Sequence, residues 1–310
     1  MTQILPADPN PTRAISMNFT VKFSEPVNGV DKSDFSLSTN YTLNQTSIVG
    51  ITGAGDTYTV TVEAQDGEGS LHLNALDDDS IVDIMGNPLG GIGSGNGDFT
   101  QGQDYIIAKT TLIQNVKILY SVGKYDGWLL ESRPDSEQGG KKNTHDDVLY
   151  LGNDAGNRQY RTILHFDVSF LPDDIFISKV LLLIKKKGLV GTDPFTAQPN
   201  ILVDIRSNAF GSFGPFPLKM LQKSDFQAPA SKEAVGVIEN KPLGEQYLAW
   251  LDSTAFPYLT QDDTIQLRLR FNTGDNSSPA PGYLVFYSGD SPQEDRPQLL
   301  IEYYQRKINK

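Results

Sequence analysis

Cysteine is absent from this 310-residue chain. That excludes disulfide scaffolds, Cys-ligated zinc, iron–sulfur clusters and thiol nucleophiles. Histidine is scarce. His72, His145 and His165 lie far apart and show no HExxH or His-x-His spacing, so a histidine metal centre or a Ser-His-Asp triad has little material. Each reads as a structural or surface histidine. No apolar run approaches the roughly 18 residues needed to cross a bilayer, so membrane insertion is not expected. The opening Met1-Thr2-Gln3-Ile4-Leu5-Pro6 lacks the charged and apolar regions of a signal peptide. The opening therefore reads as either a processed segment with a start methionine added or a cytosolic protein, and the missing cysteine leans toward an extracellular setting. Neither GxGxxG nor GxxxxGK[ST] can be laid on the glycine run Gly90 to Gly97, and Ser94 lacks the GxSxG elbow. No motif selects a pair of carboxylates for glycoside hydrolysis. An enzyme is therefore not expected.

What is present is periodic. Ile15, Met17, Phe19, Val21 and Phe23 alternate with Ser16, Asn18, Thr20 and Lys22, the period-two signature of a strand with one buried face. Tyr58, Val60 and Val62 repeat the pattern, and Leu71 and Leu73 continue it after an Asp66-Gly67 turn. Further on, Val180 to Ile184 is a continuous apolar run closed by a Lys185-Lys186-Lys187-Gly188 turn, which reads as a strand buried on both faces. Ile265 to Phe271 alternates, and Tyr283 to Tyr287 and Leu299 to Tyr303 supply two late strands. Ala249-Trp250-Leu251 with Ala255-Phe256 reads as a short helix or a turn, the one helical candidate. The fold class is all-β, an immunoglobulin-like sandwich followed by a jelly-roll sandwich.

Charge marks the boundary. Residues 1–108 hold three basic and fourteen acidic residues, a net of −11, while the remainder holds 23 and 24. So acidic a first half repels nucleic acid and anionic membrane. With the fresh strand signal at Leu112 to Tyr120, this places the domains at 1–108 and 109–310.

Two resemblances emerge from these segments. Phe23-Ser24-Glu25-Pro26-Val27, Asp34-Phe35, Asp77-Asp78-Asp79-Ser80-Ile81-Val82-Asp83 and Gly86-Asn87-Pro88-Leu89 resemble the bacterial Ig-like repeats of secreted and surface proteins. That likeness implies an extracellular, non-catalytic spacer or adhesive module. Arg158 to Val168, leading through Leu171-Pro172 to Ile177–Leu183, is similar to the core motif of DNRLRE-type modules, and Phe286-Tyr287-Ser288 through Arg296-Pro297 to Glu302-Tyr303 is similar to their final hairpin. This second resemblance implies a carbohydrate-binding-module-like jelly roll. The stretch Gly188 to Gly244 departs from that pattern through Gly-, Pro- and Phe-rich insertions.

Sugar rings lay apolar faces on aromatic planes, and uronates add a carboxylate that arginine reads bidentately. The ligand-binding candidates are Tyr125, Trp128, Tyr160, Arg268, Arg270 and Tyr287, with Tyr150 and Tyr283 as further aromatics. Arg268 and Arg270 lie two apart and so share one strand face. They form either a basic strip for an acidic glycan or ion pairs with acids on neighbouring strands. Trp128 is either a platform or a core anchor. For a structural calcium ion, the only cofactor considered, the candidates are Asp77, Asp79 and Asp83 beside the glycine run, and Asp126, Glu131 and Asp154 near the early strands of the second domain. The expected function is a surface or adhesive protein whose partner is a polysaccharide, an acidic glycan above all, or another surface protein. The alternatives are a self-assembling subunit of a filament, sheath or surface layer, and a polysaccharide-active enzyme.

Overall fold

The computed structural model describes residues 1–172, 174–210, 220–272 and 280–307. The described residues form strands joined by turns and short 3-10 segments, so the chain is all-β. It divides into two compact units, one of Met1–Asn115 with Asp174–Ser178 and Tyr303–Lys310, the other of Val116–Asp173 with Lys179–Glu302. The first unit extends beyond Ala108 and takes two later segments, a division that charge does not announce.

In the first unit β1 (Gln3–Pro6), β2 (Ser16–Asn28), β3 (Phe35–Thr39), β4 (Asn44–Asp66), β5 (Gly69–Ala75), β6 (Val82–Asp83) and β7 (Tyr105–Ile107) make two antiparallel sheets. One runs β1-β2-β4 with β6 beside β2, the other β3-β5-β7. The register Met17↔Val62, Phe19↔Val60 and Val21↔Tyr58 stacks one apolar face, and it buries with Leu71, Leu73, Ala75 and Tyr105 in a single core. Each such side chain contributes about 1.5–3 kcal/mol by leaving water. Ile15, expected to start the buried face, is 59% exposed because it precedes the strand. The buried His72 accepts its place through a 2.5 Å contact between Nδ1 and Asp104 Oδ1.

The second unit holds β9 (Gly127–Glu131), β10 (Gly139–Asn143), β11 (Val148–Asn153), β12 (Gln159–Asp167), β14 (Asn200–Ser207), β15 (Lys232–Glu239), β16 (Gln246–Leu251), β17 (Thr264–Phe271) and β18 (Gly282–Tyr287), the larger part of β8 (Leu112–Tyr120), β13 (Ile175–Gly191) and β19 (Gln298–Arg306), and one short helix, α1 (Phe256–Leu259). The strands β12-β11-β18-β13-β16-β15-β14-β17 close on themselves through a β17–β12 pairing. Two seams in that ring are narrow. β11 meets β12 only at Gly152↔Tyr160 and Asn153↔Gln159, and β15 meets β16 at Gly236↔Leu251. The ring therefore behaves as two four-stranded sheets joined at corners. Leu164, Phe166, Val203, Leu267 and Leu269 from one sheet, and Leu149, Leu182, Ile184 and Phe286 from the other, are fully buried on alternate positions.

Three local expectations change. The apolar run at β13 is not buried on both faces. Val180, Leu182 and Ile184 face inward, while Leu181 and Leu183 are half-buried on the opposite side. The three lysines after it do not turn the chain. β13 continues to Gly191 through a register shift between Lys186 and Gly188, a bulge that absorbs the irregularity and hands the strand from β16 to β18. Trp250 lies on β16 and not on a helix, since Tyr247, Ala249 and Leu251 alternate inward around it. The helical turn comes only afterwards, at α1.

Candidate functional site

The arginine strip is real as a register feature but is not a surface. Ile163 lies directly opposite Arg268, and Asp204 opposite the same arginine, so β12, β17 and β14 bring Arg161, Arg268, Arg270 and Asp204 onto one face. Residues 220–230 cover that face. Leu221, Phe226 and Ala228 pack with Phe210, Leu129 and Ile163 in a small second core. Arg268, 3% exposed, holds Asp204 Oδ2 through Nε at 3.0 Å and Nη2 at 2.9 Å. Its Nη1 donates to the carbonyls of Asp225, Phe226 and Ala228. Arg270 grips Asp204 with Nε at 2.8 Å and Nη2 at 3.2 Å. Arg161 donates to Phe226 O and Glu137 Oε2. The guanidinium planes also lie over rings, Arg161 on Phe226 at 4.0 Å and Arg268 on Phe210 at 4.7 Å.

Burial works against the Asp204 carboxylate, but the Arg270 and Arg268 guanidiniums outweigh it and hold the carboxyl below its usual range. Burial likewise pulls the Arg268 and Arg161 guanidiniums down. These arginines tie a covering segment to a sheet. Arg268 and Arg270 therefore do not present a strip to an acidic glycan, and the cross-strand ion pair is the arrangement found.

The six calcium candidates do not converge either. Asp77 Oδ2 accepts from Gly97 N, Asp79 from Gly93 N, and Asp83 from Met85 N and Asn87 N. Asp126, buried, accepts from His165 N and Gly289 N. Glu131, also buried, accepts from Glu137 N and Gln159 N, and Asp154 is taken by Arg158. Each carboxylate folds its own turn or corner, and its lone pairs are spent on backbone N–H groups. Among the described residues no group of three or more His, Asp or Glu side chains is placed to hold a metal ion.

The aromatic candidates separate by what covers them. Tyr287 lies under Lys187 Nζ at 5.1 Å and Lys185 Nζ at 5.6 Å, so its ring is already taken by ammonium groups. Tyr125 leans on His165 at 4.8 Å, with Lys124 Nζ 5.3 Å from its ring. Trp128 is different. It stacks on Tyr150 at 5.4 Å and 30°, and meets Tyr160 edge-on at 5.4 Å. Tyr283 closes the group at 5.2 Å from both Tyr150 and Tyr160. Trp128, Tyr150 and Tyr283 are half-buried, and Tyr160 is buried beneath them.

This cluster exists because of the β11–β12 corner. Tyr160 and Tyr283 flank Gly152 on the two neighbouring strands. Gly152 has φ +125°, and a Cβ there would stand 2.2 Å from Gly282 O, so only glycine lets both rings close over that position. Thr162 Oγ1 donates to Tyr150 O at 3.0 Å and draws the strands together. The rings touch one another, so they form a solid rim and not a cage around a cation. The rim has polar groups to offer. Trp128 Nε1 is buried with no acceptor among the described residues, and no hydrogen bond ties the hydroxyls of Tyr150, Tyr160 or Tyr283 to another described residue. Burial first, then nearby Asp154, pushes the Tyr160 phenol up to about 12, so it remains a neutral donor and acceptor.

The sequence points to Trp128 and Tyr160 as ligand residues and offers Tyr150 and Tyr283 as further aromatics. Their convergence depends on a register that spacing does not reveal. Asp204, an acid alone in the apolar strand Ile201-Leu202-Val203-Asp204-Ile205, is the partner of the arginines, and its isolation among apolar residues is the one signal of it in the sequence. No protein-family model matches the chain, and no curated protein matches it.

Proposed function

We propose that this chain is a non-catalytic part of an extracellular surface or adhesive protein, and that its second unit, a jelly roll of the DNRLRE type behind an Ig-like sandwich, recognises a polysaccharide at the Trp128 rim. The observation that carries this reading is a group of touching rings in which Trp128, Tyr150 and Tyr283 stay half-exposed over the buried Tyr160. The apolar face of a sugar ring packs on exposed aromatic surface of this kind. The carboxylates around the rim support a binding role over a catalytic one, since Asp154 and Glu131 are already engaged with Arg158 and with backbone N–H groups. A second reading, a self-assembling filament or layer subunit, draws on β8, which pairs with β19 and exposes Ile113, Val116 and Ile118.

The test is retention on a panel of immobilised polysaccharides. Wild type is expected to bind at least one. Trp128→Ala is expected to weaken that binding about tenfold, equivalent to about 1.4 kcal/mol, while Trp128→Phe, which keeps a ring and loses the N–H, falls between. Thermal melts run alongside confirm that the variants are folded. Equal retention by Trp128→Ala would overturn the site. Fibres in negative-stain images with no retention by wild type would favour the filament reading.

A further inference from the structure

We propose that the Trp128 rim is one end of a longer platform, and that the second unit holds a linear polysaccharide along several sugar residues and does not read a single terminal sugar. The inference rests on the reading of the rim as a glycan site, and concerns how much of the chain that site engages.

Strand register extends the rim in one direction. Leu149, Leu151, Leu284 and Phe286 are fully buried, so alternation turns Tyr150, Tyr283 and Val285 to the outer face of their sheet. Tyr150 stands opposite Val285, and Gly152 opposite Tyr283. On the far side of β18, Val285 stands opposite Gly188 and Tyr283 opposite Val190. Two rows therefore cross three strands, one of Tyr150, Val285 and Gly188, the other of Gly152, Tyr283 and Val190. The bulge in β13 sets this phase. Val180, Leu182 and Ile184 face inward, and an unbroken strand would carry Val190 inward with them. The shift between Lys186 and Gly188 adds one residue and turns Gly188 and Val190 outward.

The surface along these rows is apolar and low. Val190 is 37% exposed, while Tyr150, Tyr283, Val285 and Gly188 are half-buried. Gly152 leaves no room for a side chain. Gly188 is different, because its φ lies outside the left-handed region and a Cβ there would touch only Val285 Cβ, at 3.9 Å. The fold does not require glycine at that position, and a glycine within a strand marks a place where another molecule comes close. The neighbouring row, Val148 opposite Tyr287, is capped by Lys185 and Lys187 over the Tyr287 ring and bounds the track on that side. Trp128 stacks on Tyr150 at 5.4 Å, and the step from β11 to β13 adds two strand spacings, about 10 Å. One sugar ring covers only an end of such a track. A chain lying across the strands covers all of it, setting its apolar faces on the rings and on the two valines.

The experiment immobilises cellulose, xylan, mannan and polygalacturonate, and competes the full chain off whichever polymer retains it with oligosaccharides of that polymer, from the monosaccharide to the hexasaccharide. The hexasaccharide is expected to compete at least about tenfold better than the disaccharide. Gly188→Leu raises a side chain in the middle of the track and should bring the hexasaccharide down to the level of the disaccharide, with competition by the disaccharide unchanged. Val190→Gln, at an exposed position, should act in the same direction, and thermal melts report whether both variants are folded. A disaccharide competing as well as the hexasaccharide would overturn the track and leave the rim as a glycan site. So would hexasaccharide binding at the wild-type level in both folded variants. Retention of wild type on none of the polymers would overturn the rim reading, and this inference with it.

Discussion

A single buried arginine shows how far a side chain's role is decided by its surroundings. Arg268 has its charge balanced by Asp204 and three of its hydrogen bonds directed at the carbonyls of residues 225–228. Truncating it leaves Asp204 with Arg270 and the Ala234 N–H alone, and takes from the buried Asp225 and Ala228 carbonyls their guanidinium donor. Removing one partner of a buried pair costs about 3–5 kcal/mol. Arg268→Ala is expected to lower the melting temperature of the second unit steeply, with urea denaturation showing a loss of that order. A melt within about a degree of wild type would mean that the guanidinium is dispensable, since 1 kcal/mol moves a domain of this size by several degrees. Loss of ligand binding in this variant would then report unfolding, whereas Trp128→Ala tests the rim itself.

Among the elements, the covering segment at residues 220–230 has the clearest dependence on conditions. Its turn Lys223–Phe226 carries Asp225, whose Oδ2 accepts from Gln222 N at 2.7 Å while Oδ1 is buried without a partner. Burial pushes this carboxyl up to about 7, against the opposing pull of Lys142 and Arg268. Asp126, wholly buried at another corner, is pushed up to about 7 by the same cause. The sign follows from proton counting. A carboxyl with a raised folded pKa contributes its full stability below the unfolded value near 3.8, and loses it as pH climbs to about 7. Asp204 works in the opposite sense, contributing above the ordinary carboxylate range and failing in acid. Amides of residues 220–230 are expected to exchange faster at pH 8 than at pH 5.5, after correction for intrinsic exchange. Asp225→Asn should abolish most of that difference. Because Asp126 lies outside the segment, it affects the global melt but not this local readout. Equal protection at both pH values in wild type would show that Asp225 is ionised while buried.

At the scale of the whole molecule, charge is the dominant asymmetry. Residues 1–108 carry a net −11 on a sandwich whose acids are tied into turns. Like charges at this density repel, and salt relieves the repulsion. Sodium chloride is expected to raise hydrogen-exchange protection in β2 and β4. Calcium chloride at equal ionic strength should do the same and no more, because the carboxylates of Asp77, Asp79 and Asp83 are spent on backbone N–H groups. A calcium-specific gain in protection would reinstate a metal site in those loops.

The strands themselves were legible, because a period of two survives in any context that buries one face. Met17 to Phe23, Tyr58 to Val62 and Ile265 to Phe271 all form the strands their alternation predicts. Two-sided burial was not legible. β17 alternates polar and apolar as a wet-faced strand would, yet Gln266 and Arg268 are as buried as Leu267, since a distant segment of the chain lies over them. What the sequence determined alone was local. It set which residues alternate, where glycine and proline allow turns, and that no thiol chemistry exists. Tertiary structure decided the rest, because partnership between side chains depends on register and coverage. Arg268 meets Asp204 across 64 positions, and Tyr160 meets Tyr283 over a corner that one glycine keeps open. Local pattern carries no information about either distance.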